Sequence, residues 1–245
     1  MLMDDLKGMI SNSRNIVFFG GAGVSTESNI PDFRSEDGIF RTIGKYGHPP
    51  EIMLSHTFFI HHSGEFFDFY KNNMIFLDAK PNKAHLALAK LEKKGILKAV
   101  ITQNIDGLHQ AAGSQNVLEL HGSVHRNFCT ACGEPYSLQY VLNYHETVPR
   151  CSKCNGIVKP DVVLYEESLD MDVLNQAVGN IREADVLIVG GTSLAVYPAA
   201  GLIDYYRGSK LVLINISATP YDRKADLVIH ESIGKVLDAA VSEIE

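Results

Sequence analysis

No run of apolar residues in this 245-residue chain reads as a membrane span. The stretch that comes closest, Val186 to Ile203, has 18 residues without a charge, the lower limit for crossing a bilayer. Gly190, Gly191, Thr192, Ser193, Pro198 and Gly201 break it into a strand, a loop and a helix start. An excess of positive charge is missing as well. Lys and Arg number 22 against 29 Asp and Glu, a formal net charge of −7, and no basic cluster marks a nucleic-acid binder. An acidic surface attracts a basic peptide instead. The first residues, MLMDDLKGMI, carry two acids and no apolar stretch behind a basic start, so no secretory signal is read there. Internal repeats and low-complexity segments are also absent. With 45% apolar and 21% charged residues the chain can build an ordinary globular core, and its length allows one large domain or two modest ones. The expectation is a soluble, cytoplasmic protein that binds neither membrane nor nucleic acid directly; its oligomeric state is open.

Cysteine is scarce and confined. Cys129, Cys132, Cys151 and Cys154 form C-x2-C-x18-C-x2-C, the spacing of a zinc ribbon. Two close pairs place four thiolates at the corners of a tetrahedron. Gly133 and Asn155-Gly156 follow the second Cys of each pair, where a tight knuckle needs positive φ. The rival readings are two disulfides, disfavoured inside a cell, and buried free thiols, which would not pair up by spacing. Four protein ligands leave no open position, so the expected zinc is structural rather than catalytic.

Elsewhere, short apolar runs alternate with helical spacing. The runs are Ile16–Phe19, Ala99–Ile101, Val117–Leu120, Val162–Leu164, Val186–Val189, Leu211–Ile214 and Leu227–Ile229, and they suit strands buried on both faces of a parallel sheet. Helical spacing appears at His85–Leu91 and from Leu174 to Ile181. This predicts an α/β fold, an open Rossmann-like parallel sheet wound on both faces. Two stretches break the rhythm: residues 35–80, a loop followed by helices, and 124–160, which holds the cysteines. The expected division is a Rossmann-like domain of residues 1–34, 76–123 and 161–245, with a small domain built from a helical part, 35–75, and a zinc-ribbon part, 124–160.

Directly after the first strand run comes Gly20-Gly21-Ala22-Gly23-Val24-Ser25-Thr26. Such a turn lets backbone N–H groups approach a pyrophosphate at the start of a helix. It lacks the third glycine of the dinucleotide fingerprint, and no acid about 20 residues on completes it. On its own the turn reads equally as a tight connection. The motifs downstream of it are more specific. They are Ile30-Pro31-Asp32-Phe33-Arg34, then Thr102-Gln103-Asn104-Ile105-Asp106-Gly107-Leu108-His109, then His121-Gly122, the four-Cys module, and Gly191-Thr192-Ser193-Leu194. In this order, from about residue 10 to 235, these motifs resemble the sirtuin family, Sir2-like NAD-dependent protein deacylases of bacterial type.

The resemblance implies an NAD-dependent protein lysine deacetylase with NAD as co-substrate and structural zinc. The acetyl-lysine carbonyl would attack the nicotinamide ribose and release nicotinamide. Transfer assisted by a base would then give free lysine and O-acetyl-ADP-ribose. Histidine suits the base, since its ordinary pKa near 6.5 lets it take a proton at neutral pH. His121 matches the family's base, at a strand end where an open sheet places its ligand crevice. Asn104 would orient the ribose or a water, and Asp106 would accept from the nicotinamide carboxamide; helix capping is the plainer reading of both. Gln103 and Ile105 would line the same pocket. Gly21, Ala22, Gly23, Ser25 and Thr26 would form the cofactor turn. Phe33 would cover the anomeric carbon, and Arg34 would order the loop over the phosphates. Thr192 and Ser193 would hold phosphate or ribose, Asn215 the adenine-side ribose, and Ile233 the adenine. The substrate peptide would meet Val162, Val163, Tyr165 and Val196 as an added strand.

The chain also departs from the family pattern. In Lys159–Glu167 a Tyr stands for the usual Phe, and Glu166 replaces a Gly, losing easy access to positive φ. Two adjacent acids there lead to the expectation of basic residues around the target lysine. Asn29 replaces a Gly before IPDFR, a mild change. Tyr70 matches the first residue of the Tyr-x-x-Arg pair of sirtuins that take acidic acyl groups, but Asn73 replaces the Arg, which favours neutral acyl groups. The rival functions are a mono-ADP-ribosyltransferase on the same fold, a non-catalytic NAD-sensing zinc-ribbon adaptor, and a plain Rossmann oxidoreductase.

Overall fold

A computed structural model describes residues 2–32 and 46–244. Helix α1 (Leu2–Ser11) leads into β1 (Ile16–Gly20), followed by two 3-10 turns, Ala22–Val24 and Thr26–Ser28. Helices α2 (Pro50–Met53), α3 (His56–His61) and α4 (Ser63–Asn73) form the first insertion. The sheet resumes with α5 (Lys83–Lys93), β2 (Leu97–Thr102), α6 (Leu108–Ala111) and β3 (Val117–Glu119). The second insertion holds β4 (Gly122–Cys129), β5 (Pro135–Ser137), α7 (Leu138–Asn143) and β6 (Val158–Val162). Then come α8 (Met171–Glu183), β7 (Val186–Gly190), a 3-10 segment Ala199–Tyr205, β8 (Leu211–Ile214), β9 (Leu227–Ile229) and α9 (Ile233–Val241).

Six strands form one parallel sheet in the order β3-β2-β1-β7-β8-β9. Renumbered within the sheet this is 3-2-1-4-5-6, the doubly wound order whose direction reverses between β1 and β7. Side chains alternate across the sheet, as the period of a strand requires. Ile16 and Phe18 face a core that includes Leu6 and Ile10 of α1, Leu88 and Leu91 of α5, and Leu237 of α9. Val17 and Phe19 face the opposite core, with Ala177 and Ile181 of α8 and Leu202 and Ile203. With both faces covered, β1 and β7 are buried at every residue.

Two expectations are corrected. Val162–Leu164 is not a strand of the parallel sheet. Instead β6 ends at Val162 and lies in a separate three-stranded sheet, β5-β4-β6, antiparallel to β4, with Cys129 opposite Val158 and Gly122 opposite Val162. The cysteine cluster supplies the reason, because it closes the chain between β4 and β6 on itself and draws the two strands side by side. The glycine-rich turn, expected to open a helix, opens two 3-10 turns. Asn29 follows in the left-handed region, φ 61°, and Pro31 adds a residue that cannot continue a helix.

The two insertions share one core. Met53, Phe59, Phe66, Phe67 and Tyr70 from α2–α4 pack with Val124, Leu138, Val141, Val158 and Val162 from the second insertion. No helix of the described residues is long and apolar enough to cross a membrane.

Beneath β1 lies a buried polar pair. The rings of His85 (α5) and His109 (α6) stand 4.7 Å apart. His85 Nδ1 accepts from Asn82 N at 3.2 Å, but its Nε2 and both nitrogens of His109 have no hydrogen-bond partner among the described residues. Burial pushes both pKa values well below 6.5, and only the neutral rings fit. The unfolded chain therefore binds more protons than the native state below about 6.5, so stability falls as pH drops through that value. Thermal unfolding at pH 7.5 and pH 5 should show this loss, and His109→Leu should lose less stability across the same interval.

Candidate active site

The C-terminal ends of the parallel strands open into one cleft of 670 Å³, within the size range of small-molecule sites. Its floor is set where two turns meet back to back. Gly23 N donates to Gly191 O at 2.8 Å, and Gly21 N to Gly190 O at 3.3 Å. A Cβ on Gly23 would lie 2.9 Å from Gly191 Cα, and one on Gly191 (φ 58°) would lie 2.4 Å from Val24 N. Only glycine on both sides permits this approach. Leu194, just beyond, also has positive φ, 54°, unusual for a bulky residue. Its N–H is held by Thr192 Oγ1 at 3.2 Å, and the same hydroxyl accepts from Gln103 Nε2 at 3.1 Å.

A short polar chain runs from the turn after β1 to the loop after β2. Asn104 Nδ2 donates to Ser25 Oγ at 3.0 Å, and Ser25 Oγ donates to Asp106 Oδ2 at 2.6 Å. The other oxygen, Asp106 Oδ1, accepts from Leu108 N at 2.9 Å, a turn bond to the first N–H of α6, whose N-cap is Gly107 and not Asp106. Carboxylate oxygens can each accept a second bond, which leaves capacity for a ligand. His125, which sequence reasoning missed, donates from Nε2 to Asp106 O at 3.0 Å.

His121 sits two residues beyond β3. Its Nδ1 lies 2.9 Å from Gln103 O, and a carbonyl only accepts, so Nδ1 carries the proton. Nε2 is left as the basic nitrogen. Burial lowers the His121 pKa below 6.5, while the Gln103 carbonyl acts the other way by favouring the protonated ring. The ring is therefore neutral at pH 7 and able to take a proton.

Every expected cofactor, catalytic and peptide residue that is described lines this cleft: Gly21, Ala22, Gly23, Ser25, Thr26, Gln103 through Asp106, His121, Val162, Val163, Tyr165, Thr192, Ser193, Val196, Asn215 and Ile233. Phe33 and Arg34 lie outside the described residues. The cleft also takes in Glu231 and Ser232, which the rule of strand ends after β9 could have found, and Leu54, Met74 and Phe76, which carry no motif. Asn73 turns its amide to Phe69 O at 2.8 Å and supplies no cation beside Tyr70. Glu166 accepts from Thr57 N and Oγ1, neutral donors that leave its charge in place, and Glu167 accepts from Lys159 and Leu164 N.

The four cysteines stand apart from the cleft lining. All four Sγ atoms lie within 4.8 Å of one another, with 3.4 Å between Cys129 and Cys154 and 3.6 Å between Cys132 and Cys151. A tetrahedron with zinc–sulfur bonds of about 2.3 Å has sulfur–sulfur edges of about 3.8 Å, so the set fits zinc. Donors point at the sulfurs as thiolates require: Ala131 N to Cys129, Lys153 N to Cys151, and Tyr136 Oη to Cys151 at 3.1 Å. Gly133 and Asn155 have the positive φ expected of the knuckles, 73° and 63°.

The Sir2 family model matches residues 21–198, and the chain belongs to the Sir2 family. It is 63% identical over 239 residues to the NAD-dependent protein deacetylase of Clostridium acetobutylicum, covering 98% of each chain. With that of Clostridium tetani it is 65% identical over 240 residues, 98% of this chain and 97% of the relative. Among solved structures, a Sir2 complex with p53 peptide and NAD+ superposes with a TM-score of 0.86 at 39% identity, covering 99% of this chain and 98% of that one. Sir2 bound to acetylated peptide gives 0.85 at 39%, with the same coverage.

Purified protein should carry one zinc per chain by elemental analysis. Cys132→Ser should lose the metal and lower the thermal midpoint, because binding to a site absent from the unfolded chain stabilises the fold.

Proposed function

We propose that this chain is an NAD-dependent protein lysine deacetylase, acting on acetyl-lysine in proteins or peptides, consuming NAD and one water and releasing nicotinamide, free lysine and O-acetyl-ADP-ribose. The observation that carries the reading is His121, whose Nδ1 is held by Gln103 O so that Nε2 is the basic nitrogen, in the cleft that also holds the glycine turn. NAD, when bound, supplies the ribose carbon at which nicotinamide is replaced by the acetyl oxygen. The protein's own groups do the rest. Gly21, Ala22, Gly23, Ser25 and Thr26 bind the phosphates, with Thr192 and Ser193 opposite them. Asn215 and Ile233 hold the adenosine end. Asp106 accepts from the carboxamide, Asn104 orients the ribose, and Gln103 and Ile105 wall the pocket. His121 Nε2 takes the proton of a ribose hydroxyl, and the Gln103 carbonyl steadies the imidazolium that results. Phe33 and Arg34 complete the cover.

Val162, Val163, Tyr165 and Val196 meet the peptide as an added strand. Neutral acyl groups suit a pocket where Asn73 brings no cation. We assign residues 1–34, 76–123 and 161–245 to the Rossmann-like domain, 35–75 and 124–160 to the small one, and the protein to the cytoplasm. Four thiols gathered as a zinc-binding set agree with a reducing compartment.

Mass spectrometry of an acetyl-lysine peptide incubated with NAD tests the reading. Loss of acetyl with equal amounts of nicotinamide and O-acetyl-ADP-ribose is expected. ADP-ribose attached to protein without deacetylation would favour the transferase instead. In the same assay kcat/KM should fall toward acid with a midpoint below 6.5, since only neutral His121 accepts the proton and its pKa is lowered.

A further inference from the structure

Residues 163–167 form a strap between the end of β3 and the first insertion. Val163 N donates to His121 O at 3.0 Å, Tyr165 N to Leu54 O at 3.0 Å, and His56 N to Tyr165 O at 3.0 Å. Tyr165 and Ser55 pair as a parallel bridge. One short segment thus ties the backbone of His121 to the start of α3.

Glu166 stands in this strap with φ 76°, a conformation that residues other than Gly, Asn and Asp rarely adopt. Its side chain reaches across to α3, where Oε2 accepts from Thr57 N at 2.9 Å and from Thr57 Oγ1 at 2.7 Å. Charge-assisted bonds of this kind are about twice as strong as neutral ones. Next to it, Glu167 Oε2 accepts from Leu164 N at 2.9 Å and from the buried Lys159 Nζ at 3.0 Å. Glu167 Oε1 lies 2.9 Å from His56 Nδ1. The Glu167 cluster fixes the strap from below, and Glu166 fixes it from the side.

We propose that Glu166 is a positioning residue: its bond to Thr57 latches the strap to α3 and holds Val163 and Tyr165 in place for an incoming peptide. The peptide part of this rests on the deacetylase reading; the latch itself does not. A glycine at 166 would take the same φ freely but could not reach Thr57, so the glutamate exchanges backbone freedom for a tether.

Hydrogen exchange and steady-state kinetics test the latch together. In Glu166→Ala the Tyr165 amide, bonded to Leu54, should exchange at least tenfold faster, and KM for an acetyl-lysine peptide should rise about tenfold. The kcat at saturating peptide and KM for NAD should move less than twofold. Glu166→Gln keeps an acceptor oxygen and should restore most of both effects. Thr57→Val removes the hydroxyl donor and keeps the Thr57 N donor, so it should change both readouts in the same direction as Glu166→Ala but by less, and the double variant should add little to Glu166→Ala. Unchanged Tyr165 exchange in Glu166→Ala would overturn the latch whether or not the protein turns over peptide. Faster exchange with an unchanged peptide KM would overturn the positioning role. Wild type without deacetylase activity would instead overturn the functional reading, while the exchange data still decide the latch.

Discussion

The site depends on the contact of two glycine turns at the point where the sheet reverses its winding. Gly21 and Gly23 after β1 lie against Gly190, the last residue of β7, and Gly191 just past it, with backbone donors on acceptors and no room for a side chain. Neighbouring strands that wind in opposite senses leave a crevice at their carboxyl ends. Here the contact sets the floor of that crevice. It places Ser25 within reach of Asn104 and Asp106 on one side, and Thr192 within reach of Gln103 on the other. A methyl group at Gly23 would push the turns apart, and these bonds would be lost with them.

His121 is oriented through the same frame. Gln103 N donates to Gly20 O at 3.0 Å, which fixes the loop after β2 against β1. The Gln103 carbonyl then selects the tautomer of His121. The Gln103 side chain bonds Thr192 across the cleft, so a single residue links the turn after β7 to the His121 ring. The strap that starts from His121 O extends this order to the first insertion, whose core is shared with the zinc-bearing module. Zinc would act at a distance, by holding β4 and β6 together at the Cys129–Val158 end of a ladder whose other end, Gly122–Val162, leads into the strap.

Much of this is legible in the sequence because the large sheet is simple. Continuous apolar runs such as Ile16–Phe19 and Val186–Val189 can only be buried on both faces, and the polar residues just past their ends fall in the crevice by geometry alone. The cysteine spacing is equally direct, since paired knuckles have few other uses. Val162–Leu164 misleads because its apolar character matches a sheet strand while its partner is set by the cysteine closure, a contact between distant residues. The turns after Gly23 resemble a helix start because local pattern does not register the Asn29 reversal ahead of Pro31. Glu166 and Glu167 look like free surface charge in the sequence because Thr57 and Lys159 come to them only in the folded chain. The residues lining the cleft from the first insertion, Leu54, Met74 and Phe76, are ordinary apolar residues whose place is decided by packing.

Under the proposed function, His121 acts as a base after nicotinamide has left and has no part in its departure. Exchange of labelled nicotinamide into NAD, measured with an acetyl-lysine peptide, separates the two steps. His121→Ala should retain exchange within about tenfold of wild type while deacetylation falls by about a hundredfold or more, the usual scale of a lost general base. Exchange and deacetylation falling by the same factor would contradict the account and place His121 in the first step.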